Sequence, residues 1–152
     1  MKKTVYVSMI ADLLHAGHIN ILNEASKHGD VTVGLLTSVA IDELNDTAYL
    51  KYQQRLEVIK SLTMVADVVS QEEASYKANI IKMKPDYVVH GDDWKDGKQS
   101  KYRQEVIELL GEWGGELIEV PYSSDISDKN LKNQLMKLGV TTVHRLGRLR
   151  RL

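Results

Sequence analysis

The stretch Thr4-Val5-Tyr6-Val7-Ser8-Met9-Ile10, followed directly by Ala11-Asp12-Leu13-Leu14-His15-Ala16-Gly17-His18, decides the reading of the fold. Its first seven residues form a β-branched run of the kind that makes a buried strand. Beyond His18, residues Ile19, Leu22, Ala25 and Ser26 recur at helical spacing, and Gly29 reads as the signal that stops the helix. The same alternation continues along the chain. Asp30 to Thr37 is a second apolar strand, and a short helix is expected near Ser38 to Leu44. Tyr52, Leu56, Ile59 and Leu62 mark the next helix, followed by a short strand over Val65 to Ser70. Ala74, Ala78 and Ile81 predict a further helix, and Pro85-Asp86 turns the chain into the strand Tyr87-Val88-Val89-His90. Tyr102, Val106, Ile107 and Leu110 form a stripe ending at Gly111, Gly114-Gly115 leads into Glu116 to Val120, and Leu131, Leu135 and Leu138 lie on a last helix.

Continuous apolar strands separated by amphipathic helices imply a parallel sheet covered on both faces. Ligands of such sheets bind beyond the carboxyl ends of the strands, where the strand order reverses. The residues just after Ile10, Thr37, His90 and Val120 are therefore the ones to examine.

Composition narrows the classes further. The 152 residues suit one domain, and 43% hydrophobic content supplies enough apolar material for a core. With no cysteine, neither a disulfide framework nor a thiolate metal site is possible. Twenty basic against twenty-one acidic residues leave a net charge of −1, so no overall field favours nucleic acid. No apolar run reaches the roughly 18 residues of a membrane span. The N-terminal run resembles a signal peptide only superficially, because Asp12 interrupts it and no small-residue cleavage site follows. A cytoplasmic protein without membrane or nucleic-acid partners is expected.

His15 and His18, three residues apart, fall on one face at the start of a helix, with Gly17 allowing close backbone approach. A helix N-terminus presents free N–H donors and the positive dipole end, which suits phosphate. Two imidazoles there can stabilise a polyphosphate whose charge grows as pyrophosphate departs. Alternatives are two unrelated histidines, or a metal pair that lacks an adjacent third ligand.

His15-Ala16-Gly17-His18 resembles the HxGH signature of the nucleotidyltransferase superfamily. Tyr52-Gln53-Gln54-Arg55 with Ile59 is similar to that superfamily's Y-x-x-R-x-x-x-I segment, and Gly91-Asp92-Asp93-Trp94 to the GDDW segment of glycerol-3-phosphate cytidylyltransferases. A closer resemblance runs to the cytidylyltransferase domain of phosphonate biosynthesis, through Val7 to Leu14, Pro85 to Lys95, Glu112 to Gly115, Val120 to Tyr122 and the Arg-Leu-rich end. The resemblance implies a Rossmann-like three-layer αβα domain over residues 1–143 with a five-stranded parallel sheet, and a basic tail over 144–152. It also implies a homodimer, Mg²⁺, and transfer of CMP from CTP to a small phosphonate or phosphate acceptor.

Carried over residue by residue, His15, His18 and Asp12 become the catalytic set. Met9, Ile10, Ala11, Gly17, Arg55, Gly91, Asp92, Asp93 and Ser127 become the nucleotide site, with Arg55 on the triphosphate. Trp94 and Tyr122 become candidates for the acceptor pocket, and no residue is assigned to a metal. The chain departs from the pattern in two places. The loop before Tyr52 lacks the expected lysine, Lys51 being nearest, and Asp125-Ile126-Ser127-Asp128-Lys129 stands where the family has G-I-S-S-T. A nucleotide binder that has lost catalysis, or a transferase using another nucleotide or acceptor such as glycerol 3-phosphate, therefore stays open beside the cytidylyltransferase.

Overall fold

Five parallel strands form the sheet, in the order β3-β2-β1-β4-β5. The computed structural model describes residues 2–121 and 133–138. The elements are β1 (Thr4–Met9), α1 (Ala16–Ser26), β2 (Asp30–Leu36), α2 (Ser38–Glu43), α3 (Tyr52–Lys60), β3 (Asp67–Gln71), α4 (Lys77–Met83), β4 (Tyr87–Gly91), a 3-10 turn (Asp92–Trp94), α5 (Ser100–Gly111) and β5 (Glu116–Val120). A short helical stretch covers 133–138. Tyr122, Ser127, Leu131 and the proposed tail over 144–152 lie outside the described residues.

The register explains why the strands are apolar throughout. Side chains of a strand alternate between faces. On β1, Val5, Val7 and Met9 join Leu22 and Ala25 of α1 and Ile59 of α3 in one core. Tyr6, between them, points to the opposite core with Ile80 of α4 and Val106 and Leu110 of α5. The strand β4 divides in the same way, Val89 to the first core and Val88 to the second. Three layers follow, with the sheet in the middle.

Three local expectations need correction. Gly29 does not close α1 in a left-handed conformation; the helix ends at Ser26, and Gly29 is needed because a Cβ there would collide with the Lys3 carbonyl. The left-handed helix end is found instead at Lys84 after α4, with φ of 47°. On α4 itself Ile80 is the fully buried residue, Ile81 is 42% exposed, and Ala74 precedes the helix, which starts at Lys77. The run Asn79-Ile80-Ile81 offers two adjacent apolar residues, and only packing against α5 selects between them.

A second close approach lies in the sheet. Gly34 of β2 has no Cβ, and the Tyr6 hydroxyl, with the ring carbon that bears it, occupies the space where one would stand. The buried Tyr6 hydroxyl then donates to Gln71 Oε1 on β3 at 2.6 Å and accepts from Asn79 Nδ2 at 3.0 Å. Burial raises the phenol's pKa well above its ordinary value, so it remains a donor.

Candidate active site

The strand order reverses between β1 and β4: β2 and β3 lie on one side of β1, β4 and β5 on the other. A cavity of about 560 Å³ opens at this reversal, walled by the ends of β1, β2 and β4, by Pro121 after β5 and by the start of α1. Its volume suits a small-molecule ligand.

The sequence starts α1 here by a specific device. His15 is the N-cap in extended backbone (φ −145°, ψ −179°), and its Nδ1 accepts the Gly17 N–H at 3.0 Å. His18 Nδ1 accepts the backbone N–H of His15 at 3.2 Å. A ring nitrogen that accepts cannot carry a hydrogen, so in each imidazole the proton sits on Nε2. The ring centroids are 4.1 Å apart, and both residues line the cavity. Capping thus fixes two neighbouring Nε2–H donors at a helix N-terminus. Among the described residues the cavity wall carries no lysine or arginine, so these donors and the helix end are its electropositive features.

Of the other sequence candidates, Met9, Ile10, Gly17, Gly91 and Asp93 also line the cavity. Several do not, for reasons of packing. Asp12 is fully buried and its two carboxylate oxygens accept the N–H groups of Tyr49 and Leu50, at 2.8 and 3.0 Å. These bonds hold the loop before α3, and Asp12, expected in the catalytic set, is not on the cavity wall. Ala11 is turned inward at the end of β1 with φ of 56°, a conformation costly for a residue with a Cβ.

Arg55 requires the largest revision. It is fully buried; Nε donates to the Leu50 carbonyl at 3.1 Å, and Nη1 donates to Ile10 and Leu36 carbonyls at 2.7 and 2.8 Å. Burial lowers its pKa, with Asp12 and the Tyr52 phenol opposing, but a guanidinium stays charged. Arg55 therefore ties together the ends of β1 and β2 and the loop that Asp12 also holds; it does not face the cavity. Lys51, the loop's nearest lysine, is exposed at the start of α3 and does not line it either.

Asp92 is also absent from the wall, and Trp94 is a core residue, 2% exposed, with Nε1–H donating to Glu119 Oε2 at 3.1 Å. Trp94, a candidate for the acceptor pocket, packs under His90, with the rings stacked at 3.7 Å and 10°, and does not itself line the cavity. Ser127 and Tyr122 lie outside the described residues. Cavity residues that the sequence reading missed include Asn20, Ile21, Leu44, Asp46, Tyr76 and Pro121. Asn20 and Ile21 were findable as the next residues along α1, whereas Tyr76 and Leu44 reach the site only through tertiary packing.

Among the described residues no three His, Cys, Asp or Glu side chains cluster closely enough to hold a metal ion, and the cavity's carboxylates are Asp46 and Asp93. Mg²⁺ commonly binds through one or two carboxylates plus substrate phosphates. These residues fit an ion that arrives with a nucleotide and do not build a cage for one. Among the described residues no helix is long and apolar enough to cross a membrane.

Comparison with known proteins agrees with this geometry. The profile of the cytidylyltransferase-like family matches residues 10–135. Glycerol-3-phosphate cytidylyltransferase of Bacillus subtilis is 29% identical over 143 residues, covering 91% of this chain and 100% of that protein. The bifunctional protein HldE of Desulfatibacillum aliphaticivorans is 30% identical over 139 residues, but the chain spans only 26% of its length. In three dimensions, a lipopolysaccharide core biosynthesis protein from Thermoplasma volcanium shares the fold, with a TM-score of 0.66 at 23% identity over 81% of this chain and 98% of that one. With the paired histidines capping the helix at the sheet's switch point, and a match that spans most of its length, the chain belongs to the cytidylyltransferase-like family.

Proposed function

We propose that this protein is a nucleotidyltransferase that moves CMP from CTP to an oxygen of a small phosphate or phosphonate acceptor and releases pyrophosphate. The observation that carries the reading is the pair of imidazoles, His15 and His18, that cap the α1 N-terminus on the wall of the cavity. In an in-line displacement the acceptor oxygen attacks the α-phosphorus, the bond to the β-phosphate oxygen breaks, and negative charge grows on the departing pyrophosphate. Imidazole rings held in place by helix capping beside the helix N-terminus stabilise that charge with little reorganisation. No covalent nucleophile is needed, and a phosphate or phosphonate dianion needs no base. Asp12 and Arg55 act from below by holding the strand ends and the loop over Tyr49 and Leu50. A Mg²⁺ ion arriving with the nucleotide would neutralise phosphate charge, with Asp46 and Asp93 the cavity carboxylates that would hold it.

Room for the acceptor is supplied by an adjoining cavity of about 890 Å³, which shares Leu44, Asp46, Asp93 and Gln99 with the first and adds Lys98 and Lys101. Four carboxylates, Glu43, Asp46, Asp93 and Asp96, line it as well, so Lys98 and Lys101 are the cations available there to a phosphate or phosphonate. The resemblance around Pro85 to Lys95 favours a phosphonate acceptor, and the B. subtilis relative favours glycerol 3-phosphate. A cytoplasmic homodimer is the setting that the resemblance supports.

The test is phosphorus NMR of the protein with Mg²⁺, each nucleoside triphosphate in turn, pyrophosphatase, and a panel of 2-aminoethylphosphonate, 2-hydroxyethylphosphonate, phosphocholine and glycerol 3-phosphate. A CMP-linked product with one acceptor is expected. Nucleotide binding without product in any combination overturns the transferase reading in favour of a binding domain.

A further inference from the structure

A third histidine faces the same cavity with the opposite hydrogen-bonding character. His90, at the end of β4, has its Nδ1 2.7 Å from the Gly91 carbonyl oxygen. A carbonyl only accepts, so Nδ1 carries the hydrogen, and in the neutral ring Nε2 is a bare lone pair. No donor from the described residues meets that nitrogen, and His90 lines the cavity. Desolvation pushes the imidazole pKa below its ordinary value, against the opposing pull of the Gly91 carbonyl, Asp93 and Glu119. The neutral form therefore holds at neutral pH.

The ring is also fixed in orientation. It lies flat on Trp94, whose indole N–H is tied to Glu119, and Glu119 is in turn held by Arg103 at 2.8 Å. Such support from α5 and β5 costs conformational freedom, and it holds one acceptor nitrogen at the cavity surface. Ionised phosphates have no hydrogen to offer it. The same cavity is lined by the uncharged Ile21, Val89, Gly91 and Pro121 and by the carboxylate of Asp93, 3.8 Å from His90 Nδ1, a setting that suits a neutral hydrogen-bond donor better than a polyphosphate.

We propose that His90 is a substrate-binding residue whose Nε2 accepts a hydrogen bond from an N–H or O–H donor of a bound substrate, and so discriminates against analogues lacking that donor. The inference rests on the transferase reading for the identity of the substrates. Three groups share the required chemistry: the exocyclic amine of the base, a ribose hydroxyl, and an amino or hydroxyl group of the acceptor.

Double-substitution cycles separate them. Wild type, His90→Leu and His90→Gln are compared with CTP against UTP, CTP against its 2′-deoxy and 3′-deoxy forms, and 2-aminoethylphosphonate against ethylphosphonate. Both kcat/KM and calorimetric binding of each ligand to the protein are read. In one arm, removing the donor weakens wild type by about tenfold, the scale of one well-made hydrogen bond. His90→Leu loses the same factor with the complete substrate and nothing more with the deleted one, and His90→Gln, which keeps an acceptor oxygen, recovers part of it. Equal discrimination by all three proteins in every arm, or no binding of any of these ligands to wild type, overturns the role of His90. Coupled binding without turnover sinks the transferase reading alone, and turnover with additive cycles sinks the His90 inference alone.

Discussion

Replacing Arg55 by Met should unfold the site's support rather than merely weaken nucleotide binding. The side chain makes three hydrogen bonds to backbone carbonyls, a buried one to Leu36 and partly buried ones to Ile10 and Leu50. Bonds from a charged donor contribute about 1.5–3 kcal/mol each. Against them stands the cost of burying the guanidinium, whose Nη2 has no hydrogen-bond partner among the described residues. Removing one member of a buried charged cluster typically costs about 3–5 kcal/mol, because its partners stay behind unsatisfied. Here those partners are three carbonyls and the charge of Asp12. A domain of this size has about 5–15 kcal/mol in total, so the variant should lose a large fraction of it. Urea unfolding, followed by the fluorescence of Trp94 and Trp113, measures this directly. Arg55→Lys should fall between the two, since an ammonium cannot span all three carbonyls. A loss below about 1 kcal/mol for Arg55→Met, together with a tenfold weaker CTP affinity, would refute the structural role. Arg55 would then act on the triphosphate, as the family resemblance implies.

Three further outcomes are expected. His18→Ala should lower turnover by about 10²–10³-fold while nucleotide affinity, read by calorimetry, changes only a few-fold; unchanged turnover would sink the mechanism. Gly34→Ala should cost at least about 1–3 kcal/mol, because the new methyl group competes with the Tyr6 ring, and Tyr6→Phe in the same background should recover part of it; denaturation midpoints decide. Stability should decline as pH falls below about 6.5, because the unfolded chain protonates His90 at its ordinary value while the folded chain resists until a lower pH. Glu119, held by Arg103 below its ordinary 4.5, adds a separate loss in stronger acid. His90→Gln should flatten the first decline and leave the second, and a pH profile identical to wild type counts against the neutral, buried ring.

The sequence by itself determined the layered α/β fold and the end of the sheet where the cavity opens. Local signals suffice for that: Val5, Val7 and Met9 alternate with Tyr6 and Ser8 within one strand, and the histidine pair caps the helix that follows within three residues. Nucleotide-facing and supporting residues could not be told apart in the same way. Asp12 and Arg55 sit in motif positions that suggest contact with phosphate, but their partners lie 37, 38, 45 and 19 residues away. His90 read as a strand-end residue because nothing local shows that Trp94 lies under its ring, or that Glu119 and Arg103 hold Trp94 in place. Hydrogen-bond capacity is a property of residue type and is legible in sequence. Whether that capacity is spent on the protein's own backbone or left facing a cavity is set by burial and long-range packing, which only the tertiary structure decides.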